Sequence, residues 1–149
     1  MWQRIQTVFL TIAALALLVS LVQPVWMLTA SDQKETLTPF YYLSGDTYHY
    51  MPFSLTAILS IASITIIITE IRKYKKRVTQ MKLGALNSLF LVGVVGASVY
   101  FATQLIKEFQ GGSYGLGMYL PVLAVVCNLI ANYFIRKDEK LVRDSERLR

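Results

Sequence analysis

The sequence predicts an all-α membrane protein: a four-transmembrane-helix bundle with both termini on the cytoplasmic side. Three observations carry that reading. Hydrophobic residues make up 54% of the chain and charged residues 16%, well below the roughly 25% charged residues usual in soluble domains. No Asp, Glu, Lys or Arg occurs between Arg4 and Asp32, Asp46 and Glu70, Lys82 and Lys107, or Glu108 and Arg136. Each interval is long enough for the ~20 apolar residues that cross a bilayer. None carries the polar stripe of a helix in a water-soluble bundle. The 149 residues fit one integral membrane domain.

The first span is expected over residues 5–22. Its basic start and apolar run, "MWQRIQTVFLTIAALALLVS", resemble a signal peptide. The stretch Leu28-Thr29-Ala30 places a bulky leucine where cleavage needs a small side chain, so the span is read as retained. An outer loop follows over residues 23–52. Within it, aromatic runs flank Ser44-Gly45-Asp46, the pattern of a small β-hairpin with a glycine turn. The second span covers residues 53–69, and a basic cytoplasmic loop covers residues 70–82. The third span covers residues 83–106. The turn "KEFQGGSYGLG" follows, where Gly111, Gly112, Gly115 and Gly117 would permit unusual backbone angles. The fourth span covers residues 118–135, and a helical cytoplasmic tail covers residues 136–149.

Orientation rests on the basic residues beside the spans. Of fifteen Lys and Arg, thirteen fall at the N-terminus (Arg4), in the second loop (Arg72, Lys73, Lys75, Lys76, Arg77, Lys82) or in the tail (Arg136, Lys137, Lys140, Arg143, Arg147, Arg149). Lys34 and Lys107 remain for the other side. This asymmetry accounts for the net charge of +6, so no nucleic-acid partner is inferred.

The sequence offers no catalytic constellation. His49 is the only histidine and lies in the outer loop, and the single cysteine, Cys127, lies within a span as a small core residue. Neither has a partner at metal-ligand spacing, and no nucleophile–base pair is visible. No enzyme activity, metal or cofactor is therefore expected. No span has an ionisable residue near its centre, where ion-coupled transport usually needs one. Glu70 comes closest. It is read as a snorkelled carboxylate, with an ion pair to Arg4 as the alternative.

Four amides would enter the bundle at a similar depth: Gln6, Asn87, Asn128 and Asn132. The last two are four residues apart and share a helix face. They are read as interhelical glue, worth about 0.6 kcal/mol per contact. The alternative is a polar pocket for a small molecule. Gly84/Ser88 and Gly93/Ala97, with Gly96, give span three a close-packing surface, used within the bundle or at a dimer seam. Tyr41, Tyr42, Tyr48, His49 and Tyr50 form a candidate outer-loop surface, either an interfacial aromatic belt or a recognition patch.

In the tail, Glu139/Arg143 and Lys140/Asp144 are spaced i,i+4 and support a helix in water. A stop signal needs only Arg136 and Lys137. The remainder, with Asp138, Glu139, Lys140 and Arg143, points to docking against the basic loop or a partner. The opening "MWQRIQTVFLTIAA" and the ending "YLPVLAVVCNLIANYFIRKDEKLVRDSERLR" resemble an uncharacterised bacterial membrane family, the domain of unknown function numbered four-two-nine-three. The resemblance implies a four-helix inner-membrane protein and supplies no activity or catalytic residue. Both motifs fall on the side assigned to the cytoplasm, which directs attention to Gln3, Arg4 and Gln6 and to Asn132, Arg136, Lys137, Asp138, Glu139 and Lys140. The expected function is that of a non-enzymatic scaffold, assembly or interaction protein. Its partners would be the lipid bilayer and a membrane or cytoplasmic protein, or a second copy of itself. The alternative is a small-molecule binder or transporter using the amide cluster.

Overall fold

A computed structural model describes residues 2–30, 33–73 and 76–147, without the side chains of residues 2–4, 30, 33, 77 and 145–147. Four helices dominate: α1 (Trp2–Val22), α2 (Leu55–Arg72), α3 (Arg77–Phe109) and α4 (Leu116–Arg147). All four are long and apolar enough to cross a membrane. At ~1.5 Å per residue they measure about 32, 27, 50 and 48 Å. Each helix packs on the next in the chain, and α1 closes the ring against α4. Phe9 and Phe134 stack across that closing seam, with ring centroids 6.1 Å apart.

The core is built from small and branched side chains. Leu10, Ala13 and Leu17 of α1 meet Ile64 and Ile67 of α2, Leu91 of α3, and Ala124, Cys127 and Ala131 of α4. The alanines allow the helices to approach closely, and larger side chains fill the gaps between them. Cys127 is buried here as a packing residue.

The all-α expectation is too narrow. Residues 23–52 do form the expected hairpin, β3 (Tyr42–Ser44) with β4 (Thr47–His49), turning at Gly45 with φ of 57°. That hairpin is one edge of a larger antiparallel sheet, ordered β4-β3-β2-β1-β5. β1 (Trp26–Ala30) pairs with β2 (Gln33–Leu37), and β5 (Ser113–Tyr114) pairs with β1 through Trp26↔Tyr114 and Met27↔Ser113. The connections α1–α2 and α3–α4 are therefore one structural unit. A pairing between segments so far apart in the chain leaves no short-range signal in the sequence.

The glycines of the second connection serve this union in different ways. Gly112 has φ of 99°, a left-handed conformation that disfavours any Cβ. A Cβ there would also strike the ring of Trp26, meeting Cε2 at 2.5 Å. Gly115 and Gly117 have no positive φ. They donate instead to Val25 O (2.9 Å) and Pro24 O (3.0 Å), stitching the start of α4 to the chain leaving α1. Trp26 is fully buried behind them, in a second core with Val25, Leu37, Phe101, Ala102 and Leu105.

The basic segment at residues 70–82 also departs from expectation. It is helical at both ends, because α2 runs on through Arg72 and α3 starts at Arg77. No glycine or proline interrupts the segment, and Lys, Arg, Gln and Met are good helix formers. Only residues 73–76 connect the two helices. The tail continues α4 without a break to Arg147.

A Cβ on Gly117 would stand 2.5 Å from Gln23 O and 2.8 Å from Pro24 O, whereas one on Gly96 meets nothing within 4 Å. Gly117→Ala is expected to destabilise the protein by about 1–3 kcal/mol. Gly96→Ala should be neutral or stabilising by up to about 1 kcal/mol. Thermal unfolding of the two purified variants checks the contrast.

Candidate functional site

The three asparagines of the expected amide layer meet near the end of the bundle that carries the chain termini. Ser63 of α2 donates to Asn87 Oδ1 at 2.6 Å, and Asn87 Nδ2 donates to Asn128 Oδ1 at 2.9 Å. Asn128 Nδ2 passes the chain on to Ser88 Oγ (2.9 Å) and reaches the Gly84 carbonyl at 3.4 Å. Asn132 Nδ2 donates to the same carbonyl at 3.1 Å and to Ser88 Oγ at 3.4 Å. Ser88 Oγ itself donates to Gly84 O at 2.9 Å. This run joins α2, α3 and α4. Gln6 is buried on α1, but among the described contacts no hydrogen bond joins it to the asparagines.

The direction of these bonds is fixed by chemistry. A backbone carbonyl only accepts, so Asn132 must turn its Nδ2 toward Gly84. Its Oδ1 then lies against the Gly84 Cα, and no hydrogen-bond partner for it is present among the described residues. Gly84 makes the arrangement possible. A Cβ there would collide with Asn132 Oδ1 and stand 3.0 Å from Glu70 Oε1. The spacing Gly84/Ser88 thus serves helix approach and polar convergence together.

Glu70 departs from the snorkelling expectation. It is 0% exposed, and neither carboxylate oxygen has a hydrogen-bond partner among the described residues. It lies on the buried face of α2 with Ser63 and Ile67, a spacing of whole helical turns. A snorkelling side chain would reach past the helix end, and this one turns inward. The proposed pair with Arg4 lies outside the described residues, because the Arg4 side chain is not described. Gln80 was not singled out by sequence. It is 1% exposed, and its Oε1 also lacks a partner among the described residues. Its position four residues before Gly84 is the signal that could have found it.

At the opposite end, the aromatic set divides. Tyr41 packs edge-on against Tyr48 and Tyr50, with centroids 5.2 and 6.1 Å away. Tyr48, His49 and Tyr50 are exposed. Tyr42 is not part of that surface. It is 8% exposed and stacks between His49 and Phe53. Its hydroxyl donates to Glu35 Oε2 at 2.5 Å, and Ser44 Oγ donates to Glu35 Oε1 at 3.1 Å. Glu35 is buried on the inward face of β2 beside Leu37. The alternation of β2 would have pointed to it, had the strand been recognised. Burial, reinforced by the bond to Glu35, raises the pKa of the Tyr42 phenol well above its usual value.

In the tail, Arg136, Lys137, Lys140 and Arg143 are exposed, while Asp138 and Glu139 are half-buried. Tyr133, Arg136, Lys137, Lys140, Leu141 and Asp144 line an open groove of about 580 Å³. Among the described residues, no group of three His, Cys, Asp or Glu side chains could hold a metal ion.

A family model described as a domain of unknown function (DUF4293) matches residues 2–148, and the chain belongs to that family. No curated protein matches the chain.

The Tyr42 phenol is expected to stay protonated where an ordinary tyrosine ionises, near pH 10. A raised folded-state pKa adds stability that is complete below the unfolded value and is lost as pH climbs toward the folded one. Alkaline spectrophotometric titration should therefore show one tyrosine ionising late, together with loss of structure. Tyr42→Phe should abolish that late step. It should also cost about 1.5–3 kcal/mol at neutral pH, the usual worth of a hydrogen bond to a charged group.

Proposed function

We propose that this member of a family without an assigned activity is a multi-pass protein of the bacterial inner membrane, with both termini in the cytoplasm. In this reading it is a non-enzymatic scaffold that docks a protein partner on its basic end. The observation that carries the proposal is the continuity of α4 from Leu116 to Arg147. The twelve helical residues beyond Ile135 extend about 18 Å past the apolar span. A stop signal has no use for such a length. A rigid helix that presents cations along a groove suits an acidic segment of another protein.

Charge supports the orientation. Thirteen of fifteen Lys and Arg fall, in sequence, in the N-terminal segment, the second loop or the tail, as the positive-inside rule requires of a cytoplasmic face. The sheet and its exposed Tyr48 and Tyr50 then fall on the outer face, where tyrosines suit the membrane–water interface. The polar run from Ser63 through Asn128 supports the glue reading, since each amide group in it has a partner. A second reading, a binder of a small cationic species, is favoured by the unpartnered oxygens at Glu70, Gln80 and Asn132.

Topology can be checked by cysteine labelling, because Cys127 is the only cysteine and is buried. In a Cys127→Ala background, a membrane-impermeant maleimide applied to spheroplasts should label Asp46→Cys. It should label Arg143→Cys only after the cells are broken. Labelling of both in intact spheroplasts would reject the orientation.

The docking proposal is tested by in-cell crosslinking of the wild type and the Arg136→Glu/Lys140→Glu/Arg143→Glu variant, each checked for insertion. A discrete crosslinked protein should be lost, by tenfold or more, from the inserted variant. If recovery is equal, the tail is not the docking element. If only lipid is recovered, the tail is a membrane anchor.

A further inference from the structure

The polar junction has an imbalance that the glue reading does not explain. Its donors are all used on one side. Ser63 donates to Asn87 and Asn87 to Asn128, while Asn128 and Asn132 donate to Gly84 O and Ser88 Oγ. On the other side stand unpartnered acceptors. Glu70 Oε1 and Oε2, Gln80 Oε1 and Asn132 Oδ1 are all buried, and none has a partner among the described residues.

The helix register brings these oxygens to one level. The bond from Ser63 to Asn87 aligns antiparallel α2 and α3. Two turns onward from Ser63 is Glu70, and two turns back from Asn87 is Gln80. Both side chains are on the buried faces of their helices. Asn132 is one turn beyond Asn128, which is bonded to Asn87. Gly84 marks the meeting of two of them, since a Cβ there would neighbour both Asn132 Oδ1 and Glu70 Oε1.

Four buried acceptors with no donor among the described residues call for an outside donor or a positive charge. An ionised carboxylate left alone in an apolar interior costs several kcal/mol or more, far beyond the worth of the surrounding glue. Arg4 is the nearest cation in sequence to this end of α1. Its side chain lies outside the described residues, so its guanidinium is the competing occupant that the test separates. The donor set is all oxygen, with one formal negative charge and the rest amide carbonyls. Such a set suits a hard cation, and divalent ions are usually held by more carboxylates.

We propose that Glu70, Gln80 and Asn132 form a binding site for one monovalent metal cation, entering from the end of the bundle that carries the termini. The carboxylate supplies the neutralising charge. The two amide oxygens replace part of the hydration shell. Gly84 keeps the space open, because any side chain there would close it. The ion locks α2, α3 and α4 at a level where hydrogen bonding alone leaves them unsatisfied. The site stands apart from the tail groove, so the failure of either proposal leaves the other intact.

The test uses the purified full-length protein in nanodiscs at constant ionic strength, with choline chloride replaced stepwise by sodium, potassium or lithium chloride. Thermal unfolding should shift upward with the concentration of at least one metal ion and saturate. Glu70→Gln should remove the whole ion-dependent shift, and should make the protein more stable than wild type in choline, since it buries no charge. Gln80→Leu should weaken the apparent ion affinity by tenfold or more while leaving the fold intact. A wild type indifferent to all three ions would overturn the proposal. If Arg4→Gln then lowered its stability, the occupant would be the Arg4 guanidinium. If instead acidification alone stabilised it, the occupant would be a proton.

Discussion

The bundle depends on the missing side chain of Gly84. Three helices meet at that position, and the carbonyl there collects hydrogen bonds from Ser88, Asn128 and Asn132. In an apolar surrounding every buried polar group must find a partner inside the protein. The asparagines can do so only if α4 comes close enough to reach the backbone of α3. Any Cβ at residue 84 would sit where Asn132 Oδ1 now lies. The polar network and the close helix packing are thus one condition, satisfied by one residue. The rest of the core follows from it, since the alanines at 124 and 131 and Cys127 keep α4 at the same short distance along its length.

The other end of the bundle meets the same requirement by different means. Chain leaving a helix exposes carbonyls that need donors. Here Gln23 N–H returns to Ser20 O, and the sheet gathers both connections of that end into one layer. Trp26 anchors the layer over the helix ends, tilted against Phe109 at 6.2 Å. Glu35 is the exception inside it. It is a buried acid held by two hydroxyls, from Tyr42 and Ser44, which makes the first hairpin pair and β2 mutually dependent.

The helices were legible because their signal is local and extended. A charge-free interval of helical length has few alternatives. The asparagine spacing was legible for the same reason, as was the hairpin at Ser44-Gly45-Asp46. The strands β1, β2 and β5 were not. Each is two to five residues long, too short for alternation to stand out, and their pairing joins residues far apart in sequence. Glu35 was hidden with them. In "QKETL" it looks like one charge among polar neighbours, and only the pleat turns it inward. Glu70 was misjudged because it stands beside a basic segment, where a carboxylate usually reaches for water. Helical phase decided otherwise, since seven residues from Ser63 return it to the buried face. Gln6 shows the converse. It is buried, but burial does not determine which neighbours a side chain will find.

The direction of the hydrogen bonds separates structure from function more sharply than burial does. A network that exists only to hold helices together should close on itself, with donors and acceptors balanced. From Ser63 to Ser88 it does so. From Asn132 to Glu70 and Gln80 the balance fails in one sense only, since among the described residues every unpartnered atom there is an acceptor. Random imperfection would leave donors and acceptors alike. A one-sided surplus of oxygens around a buried carboxylate is the complement of a cation. The same layer therefore holds a closed half that joins the helices and an open half that calls for positive charge. The boundary between them runs through the two ends of a single amide, that of Asn132.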